Sequence, residues 1–446
     1  MRLLRLCATA AAAALILGSA AYAAPPNRDS GKGPAPHGAP AAHAHGNAKP
    51  GPSSGVECPP GLHCDFVPAA YAQNSADPGD YGDYDLANRP ADGLNIRFVV
   101  IHDTEESFDD TLATFTNPLS YVSAHYVTRS SDGHVTQVVP THDVAWQAGN
   151  WWINTHSVGI ENEGFALDPS YFTNRLYHSL AKLTRYTAER YDVPLDRAHI
   201  IGHDQVPGPS APYQAGMHWD PGTFFDWAHF MALVGAPITP NGADGTGRIV
   251  TIDPNFRTNE PPVSRCDSNG VQPLPAQPAN FVYLHTAPSD SAPLVQDQFL
   301  AGMDPTCAQN WGDKAVTGQS FAVADRQGDW IAIWYGGQEA WFENPKGQHT
   351  AIPGGGALIT PKAGLASIPV YGAAYPSSHS TATLGYTIAA GQTYVATDLV
   401  GADYYSATTY NSPSTYSVQT SGEKFYEISF NHRIAFVKAT DVHTVG

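Results

Sequence analysis

Asn95-Ile96-Arg97-Phe98-Val99-Val100-Ile101-His102-Asp103-Thr104 is a short apolar run, rich in β-branched residues, that ends abruptly in a histidine and an acid. A run of this length and composition reads as a buried strand, here from Asn95 to Ile101. Ile200-Ile201-Gly202-His203-Asp204 repeats the pattern later in the chain. Each run would deliver a histidine to the end of a strand, where loops on a rigid sheet carry functional groups.

Between and beyond these runs, strand and helix signals alternate. Ala124 to Val139 reads as a hairpin that turns at Asp132-Gly133. Asp168-Pro169 reads as a helix start, with Asp as the cap and Pro in the first turn. Leu176, Leu180 and Leu183 give that helix one apolar face, and Pro194 stops it. Gly222 to Leu233 reads as a last helix, with Phe224, Phe225, Trp227, Phe230 and Met231 available for packing. The expectation is an α/β domain with a mixed central sheet flanked by helices, over residues 57–235.

The chemistry lies in four clusters. His102, His203 and the Asp220 of Met217-His218-Trp219-Asp220-Pro221-Gly222 make two imidazoles and one carboxylate, a zinc-type ligand set with a fourth position open for water. Glu161, in Gly159-Ile160-Glu161-Asn162-Glu163-Gly164, offers such a water a proton acceptor. The set points to metal-assisted hydrolysis. Taken singly each residue is ambiguous. A histidine at a strand end often only packs, and an Asp before Pro-Gly often only turns the chain. His218 could be a donor beside the metal or itself the third ligand. Trp146, Trp151 and Trp152 could line a substrate groove or fill the core.

The flanks set the context. Arg2 and Arg5, the apolar run Leu6 to Gly18 and Ala21-Tyr22-Ala23 read as an export signal over residues 1–23. No later stretch is apolar enough to span a bilayer. Residues 24–56, rich in Pro, Ala, Gly and His, read as a disordered tether, and its His37, His43 and His45 as spacer residues. Cys58, Cys64, Cys266 and Cys307 remain after the signal, and proximity favours Cys58–Cys64 and Cys266–Cys307. The net charge of −18 argues against nucleic acid as a partner. A monomer is expected.

Residues 236–275, rich in Pro, Gly, Asn and Asp, read as a linker. An internal repeat follows. Gly318-Gln319-Ser320-Phe321-Ala322-Val323 matches Gly391-Gln392-Thr393-Tyr394-Val395-Ala396. Ile333, Tyr335, Ala340, Trp341 and Phe342 match Ile428, Phe430, Ala435, Phe436 and Val437, and Val282-Tyr283 is set against Val370-Tyr371. Two small antiparallel barrels are expected, over residues 276–350 and 362–446, dispensable for the chemistry.

Residues 95–230 resemble the zinc-dependent N-acetylmuramoyl-L-alanine amidases, the family that includes the peptidoglycan recognition proteins. The resemblance is carried by Val100-Ile101-His102, Ser123-Ala124-His125-Tyr126, Asp132-Gly133, Ala145-Trp146-Gln147-Ala148-Gly149, Ser157-Val158-Gly159-Ile160-Glu161, Gly202-His203 and Asp220-Pro221-Gly222. It implies one zinc ion on His102, His203 and Asp220, Glu161 rather than Glu163 as the catalytic carboxylate, and peptidoglycan as the partner. His218 stands where the family usually carries a Lys or similar donor, which implies a catalytic role for it. Gln147 stands where some members carry His, so a catalytic role is in doubt there. His125 is expected to pack or to orient a neighbour. The repeats more loosely resemble bacterial Src-homology-type barrels. A recognition protein that kept the fold without the chemistry, or a zinc hydrolase of another amide, is the alternative.

Overall fold

The computed structural model describes residues 55–241 and 247–445. The stretch expected to be an export signal and almost all of that expected to be a tether, with its three histidines, lie outside the described residues. A six-stranded sheet forms the centre, in the order 64–66, 135–137, 126–128, 157–162, 98–101, 200–202. All its neighbours run parallel except the 126–128/135–137 hairpin. Phe98–Ile101 is a strand buried at every position, as its unbroken apolar run requires when both faces are covered.

Helix α1 spans Phe108–Phe115, α2 Trp151–Thr155, α3 Asn174–Tyr191 and α4 Trp227–Val234. The start expected at Asp168 is displaced. Asp168 caps only the single 3-10 turn Pro169–Tyr171, and α3 begins after Thr173, whose hydroxyl accepts the Leu176 N–H. Leu176, Leu180 and Leu183 face the sheet. The last helix also starts late, because Phe224 and Phe225 are buried from an irregular segment ahead of the Asp226 cap.

The segment expected as a linker is structured. Ile249–Ile252 is a strand in a five-stranded antiparallel sheet ordered 338–343, 330–335, 320–327, 249–252, 351–353. A second sheet has the same plan: 434–438, 417–429, 394–406, 357–361, 442–445. Each copy therefore starts one strand earlier than expected. The strands Ile249–Ile252 and Ala357–Pro361 are short apolar runs masked by Pro- and Gly-rich neighbours. The pairing of Val282-Tyr283 with Val370-Tyr371 also shifts by two residues. His285 exchanges backbone hydrogen bonds with Trp341 as Tyr371 does with Phe436, which sets fully buried Leu284 against Val370.

The copies face each other as pseudo-equivalents. Gly318 and Gly391 turn with φ of +86° and +89°, a conformation that favours glycine. The next residue acts alike in both. Gln319 accepts the Val316 N–H and donates to the His432 carbonyl, and Gln392 accepts the Ala389 N–H and donates to the Gly337 carbonyl. Gly337 and His432 are matching positions of the two repeats.

The repeats share a core with the α/β part. On one face of the central sheet, Val99, Ile101, Val158 and Ile200 pack with α3, α4 and Phe281, Trp311 and Val316. On the other, Phe98, Val100 and Ile201 pack with Trp152 and with Val400, Ala402, Phe425, Ile434 and Phe436 of the second repeat. Both disulfides join the expected partners, Cys58–Cys64 and Cys266–Cys307.

Candidate metal centre

Parallel pairing sets Gly202 beside Ile101 and Ile101 beside Ile160. His102 and His203 therefore leave adjacent strands at the same carboxyl end of the sheet, with Glu161 one step past Ile160 on the third strand. Such an edge is where ligands of α/β sheets bind. Asp220 is brought there by its own loop, whose carbonyl accepts the Asp204 N–H at 2.7 Å. His102 Nδ1 lies 3.3 Å from Asp220 Oδ2, and His203 Nδ1 lies 3.1 Å from Asp220 Oδ1. One donor atom from each of the three falls within 4.8 Å of the others. Gly202 allows the approach, because a Cβ there would strike Asp204 Oδ1 and come within 2.9 Å of Pro221 Cδ.

Gln147 orients the first histidine. Its Oε1 lies 2.5 Å from His102 Nε2, and its Nε2 donates to Ser157 Oγ at 2.6 Å. A proton on Nε2 committed to that carbonyl leaves His102 Nδ1 as a lone pair aimed at the carboxylates, the usual way a ligand tautomer is fixed. Gly159 is required for this contact, since a Cβ would fall on the Gln147 amide.

The donor set fits a cation such as zinc. Both ring nitrogens of His203, Asp220 Oδ2 and Glu161 Oε2 are buried without a hydrogen bond, an arrangement that is costly unless a charge of opposite sign lies between them. Burial drives the His203 imidazole down to about 3, so it stays neutral and available as a ligand. Burial also opposes charge on Asp220, but His203, His102 and His218 outweigh it and hold the carboxyl well below its usual range. Burial pulls His102 down too, but Glu161 and Asp220 prevail and raise it to about 9, a sign that the pocket favours positive charge. Burial pushes the Glu161 carboxyl up to about 8.

Glu161 Oε1 lies 3.7 Å from His102 Nδ1. Residues two apart on one strand would share a face, but this strand ends at Asn162. Glu163 turns aside and accepts the Phe108 and Ser130 backbone N–H groups at 3.2 and 2.7 Å. His218 stacks on His203 and places Nδ1 3.4 Å from Asp220 Oδ1. His125 is buried at a distance and accepts the Gly159 N–H.

The three tryptophans proposed for a groove do not line it. Trp146 and Trp152 are buried, the first donating to Asp85 and the second stacked on His156. Trp151 packs on Tyr405 of the second repeat and donates to its carbonyl. Their apolar bulk is used for packing. The metal cluster instead opens into a cleft of about 800 Å³ whose lining includes Trp219, Leu119 and Phe115. Trp219 sits next to a proposed ligand and was overlooked. Leu300, Met303 and Gln309 also line it, and no local sequence signal placed them there.

Residues 92–223 match the N-acetylmuramoyl-L-alanine amidase family. N-acetylmuramoyl-L-alanine amidase A of Achromobacter lyticus is 32% identical over 153 residues, covering 30% of this chain and 81% of the relative. The 1,6-anhydro-N-acetylmuramyl-L-alanine amidase AmpD of Citrobacter freundii is 38% identical over 119 residues, covering 25% of this chain and 57% of that protein. A crystal structure of a selenomethionine AmpD derivative aligns at 28% identity with a TM-score of 0.31, covering 40% of this chain and 97% of the other.

Proposed function

This chain belongs to the N-acetylmuramoyl-L-alanine amidase family, and from that premise we propose that it is an exported zinc hydrolase that cuts the amide between N-acetylmuramic acid and L-alanine in peptidoglycan. One observation carries the proposal: ligand atoms of His102, His203 and Asp220 converge beside a buried carboxyl at the sheet edge, and His203 and Asp220 have buried atoms there with no hydrogen bond. A recognition protein without chemistry would have no need to keep that full set.

Zinc held by His102, His203 and Asp220 would supply Lewis acidity and would acidify a water. Glu161 would take the proton of the attacking water on a carboxylate oxygen as that water's oxygen bonds to the lactyl carbonyl carbon. His218 donates to the carbonyl oxygen as it gains charge. The C–N bond then breaks, and Glu161 returns its proton to the alanine amine. Gln147 keeps the His102 ring in place throughout. We assign substrate contact to Trp219, which lines the cleft, rather than to Trp146, Trp151 or Trp152, which do not.

The two disulfides support an oxidising destination. No helix among the described residues is long and apolar enough to cross a membrane. We keep the monomer, and the small-barrel character of the two repeats, as parts of the same proposal; the shared strand order supports the second. The test is digestion of purified peptidoglycan with mass analysis of the products. Free stem peptides and uncut glycan are expected, with roughly one zinc per chain by elemental analysis. Cut glycan with peptides still attached would refute the bond assignment.

A further inference from the structure

Leu300, Met303 and Gln309 line the metal cleft from outside the matched residues 92–223. They belong to the loop between the strands Phe281–Tyr283 and Lys314–Val316 of the first repeat. The loop is fastened at many points. Cys307 is bonded to Cys266. Ser264 donates its N–H to the Thr306 carbonyl, and Ala308 donates its N–H to the Ser264 carbonyl. Lys314, fully buried, donates from Nζ to the carbonyls of Pro305, Cys307 and Asn310 and pairs with Asp313. Asn310 donates to the carbonyls of Met303 and Asp304, and Gln309 donates to the Cys266 carbonyl at 2.7 Å.

This much fastening holds the backbone, and the side chains of Leu300 and Met303 take no part in it. Both are half-buried, and neither belongs to any hydrophobic cluster of the described residues. Two apolar side chains that line the cleft and join no buried cluster form a surface for a ligand. We infer that this loop is the wall against which the stem peptide of the substrate lies, with Leu300 and Met303 covering its aliphatic side chains. The inference rests on the amidase reading of the cleft. Saturated branched and thioether chains suit the methyl groups of a peptide. A sugar ring would call for a flat aromatic face, which the catalytic half offers in Trp219 and this wall does not. An extended peptide advances roughly 3.3–3.6 Å per residue, so a five-residue stem reaches further along the cleft from the candidate ligands than a two-residue stem does.

The test compares a muramoyl dipeptide and a muramoyl pentapeptide on the full chain, wild type and Leu300→Ser with Met303→Ser. For the pentapeptide, KM should rise roughly tenfold with kcat nearly unchanged, the scale of two lost aliphatic contacts. For the dipeptide neither constant should move, and Leu300→Met with Met303→Leu should restore the wild-type KM. Dissociation constants of both muropeptides on the Glu161→Gln chain should show the same selective loss. Equal KM and Kd in the two chains, or an equal rise for both substrates, overturns the inference. A wild type that cuts neither substrate overturns the amidase reading instead, and the binding comparison still decides the wall.

Discussion

Glu161 and Glu163 lie two positions apart and occupy unrelated surroundings. Glu161→Gln should keep the metal and the fold and lose activity by roughly 10²–10⁴-fold, the worth of a positioned acid–base group. Glu163→Gln should leave activity near normal and lower stability by about 1 kcal/mol, because it weakens acceptance of two backbone N–H groups. Zinc analysis, turnover and denaturant titration of the two variants decide this, and the reverse pattern would exchange their roles. Asp83 is a separate case. It is fully buried, its Oδ1 accepts the Tyr121 N–H, and its Oδ2 has no partner. Burial pushes its carboxyl up to about 8. The unfolded chain gives up this proton near its ordinary value of about 4, so the native state loses stability as pH rises from there towards 8. Asp83→Asn should therefore match wild type in melting temperature near pH 4 and exceed it increasingly towards pH 8. A constant gap across that range would show that the carboxyl is not raised.

At the level of elements, the strands that end in His102 and His203 and the 126–137 hairpin are legible in the sequence because their signals are local. The late start of α3 is not, because two caps five residues apart compete and only packing chooses Thr173. Gln147 is illegible for a similar reason. Its contact with His102 depends on two chain segments meeting and on a missing side chain at Gly159. The repeat is legible in its middle strands and hidden in its first, where strands of only four and five residues sit among turn formers. Its glutamines give a prediction. Gln319→Leu and Gln392→Leu should each lower stability by about 1–3 kcal/mol, since each strands a backbone N–H in its own repeat and a carbonyl in the other. Denaturant midpoints would show it. Loss at one position only would mean that the two copies are not held alike.

For the whole molecule, the shared cores decide whether the parts can be separated. A chain shortened after residue 240 would uncover Phe98, Val100 and Ile201 on one face of the sheet and lose Phe281, Trp311 and Val316 from the other. It should be insoluble or protease-sensitive, with no activity, as measured by sedimentation and limited proteolysis. A soluble, active fragment would restore the repeats as dispensable appendages. The same packing fixes an order of events during synthesis. Phe98 is made long before Ile434 and Phe436, which cover its face. Contacts so far apart in the chain form late. A half-made polypeptide therefore carries every proposed ligand yet holds none of them in place. The hydrolase can become competent only once the second repeat has been made and has closed over the sheet, so a chain that stops short of it stays inert.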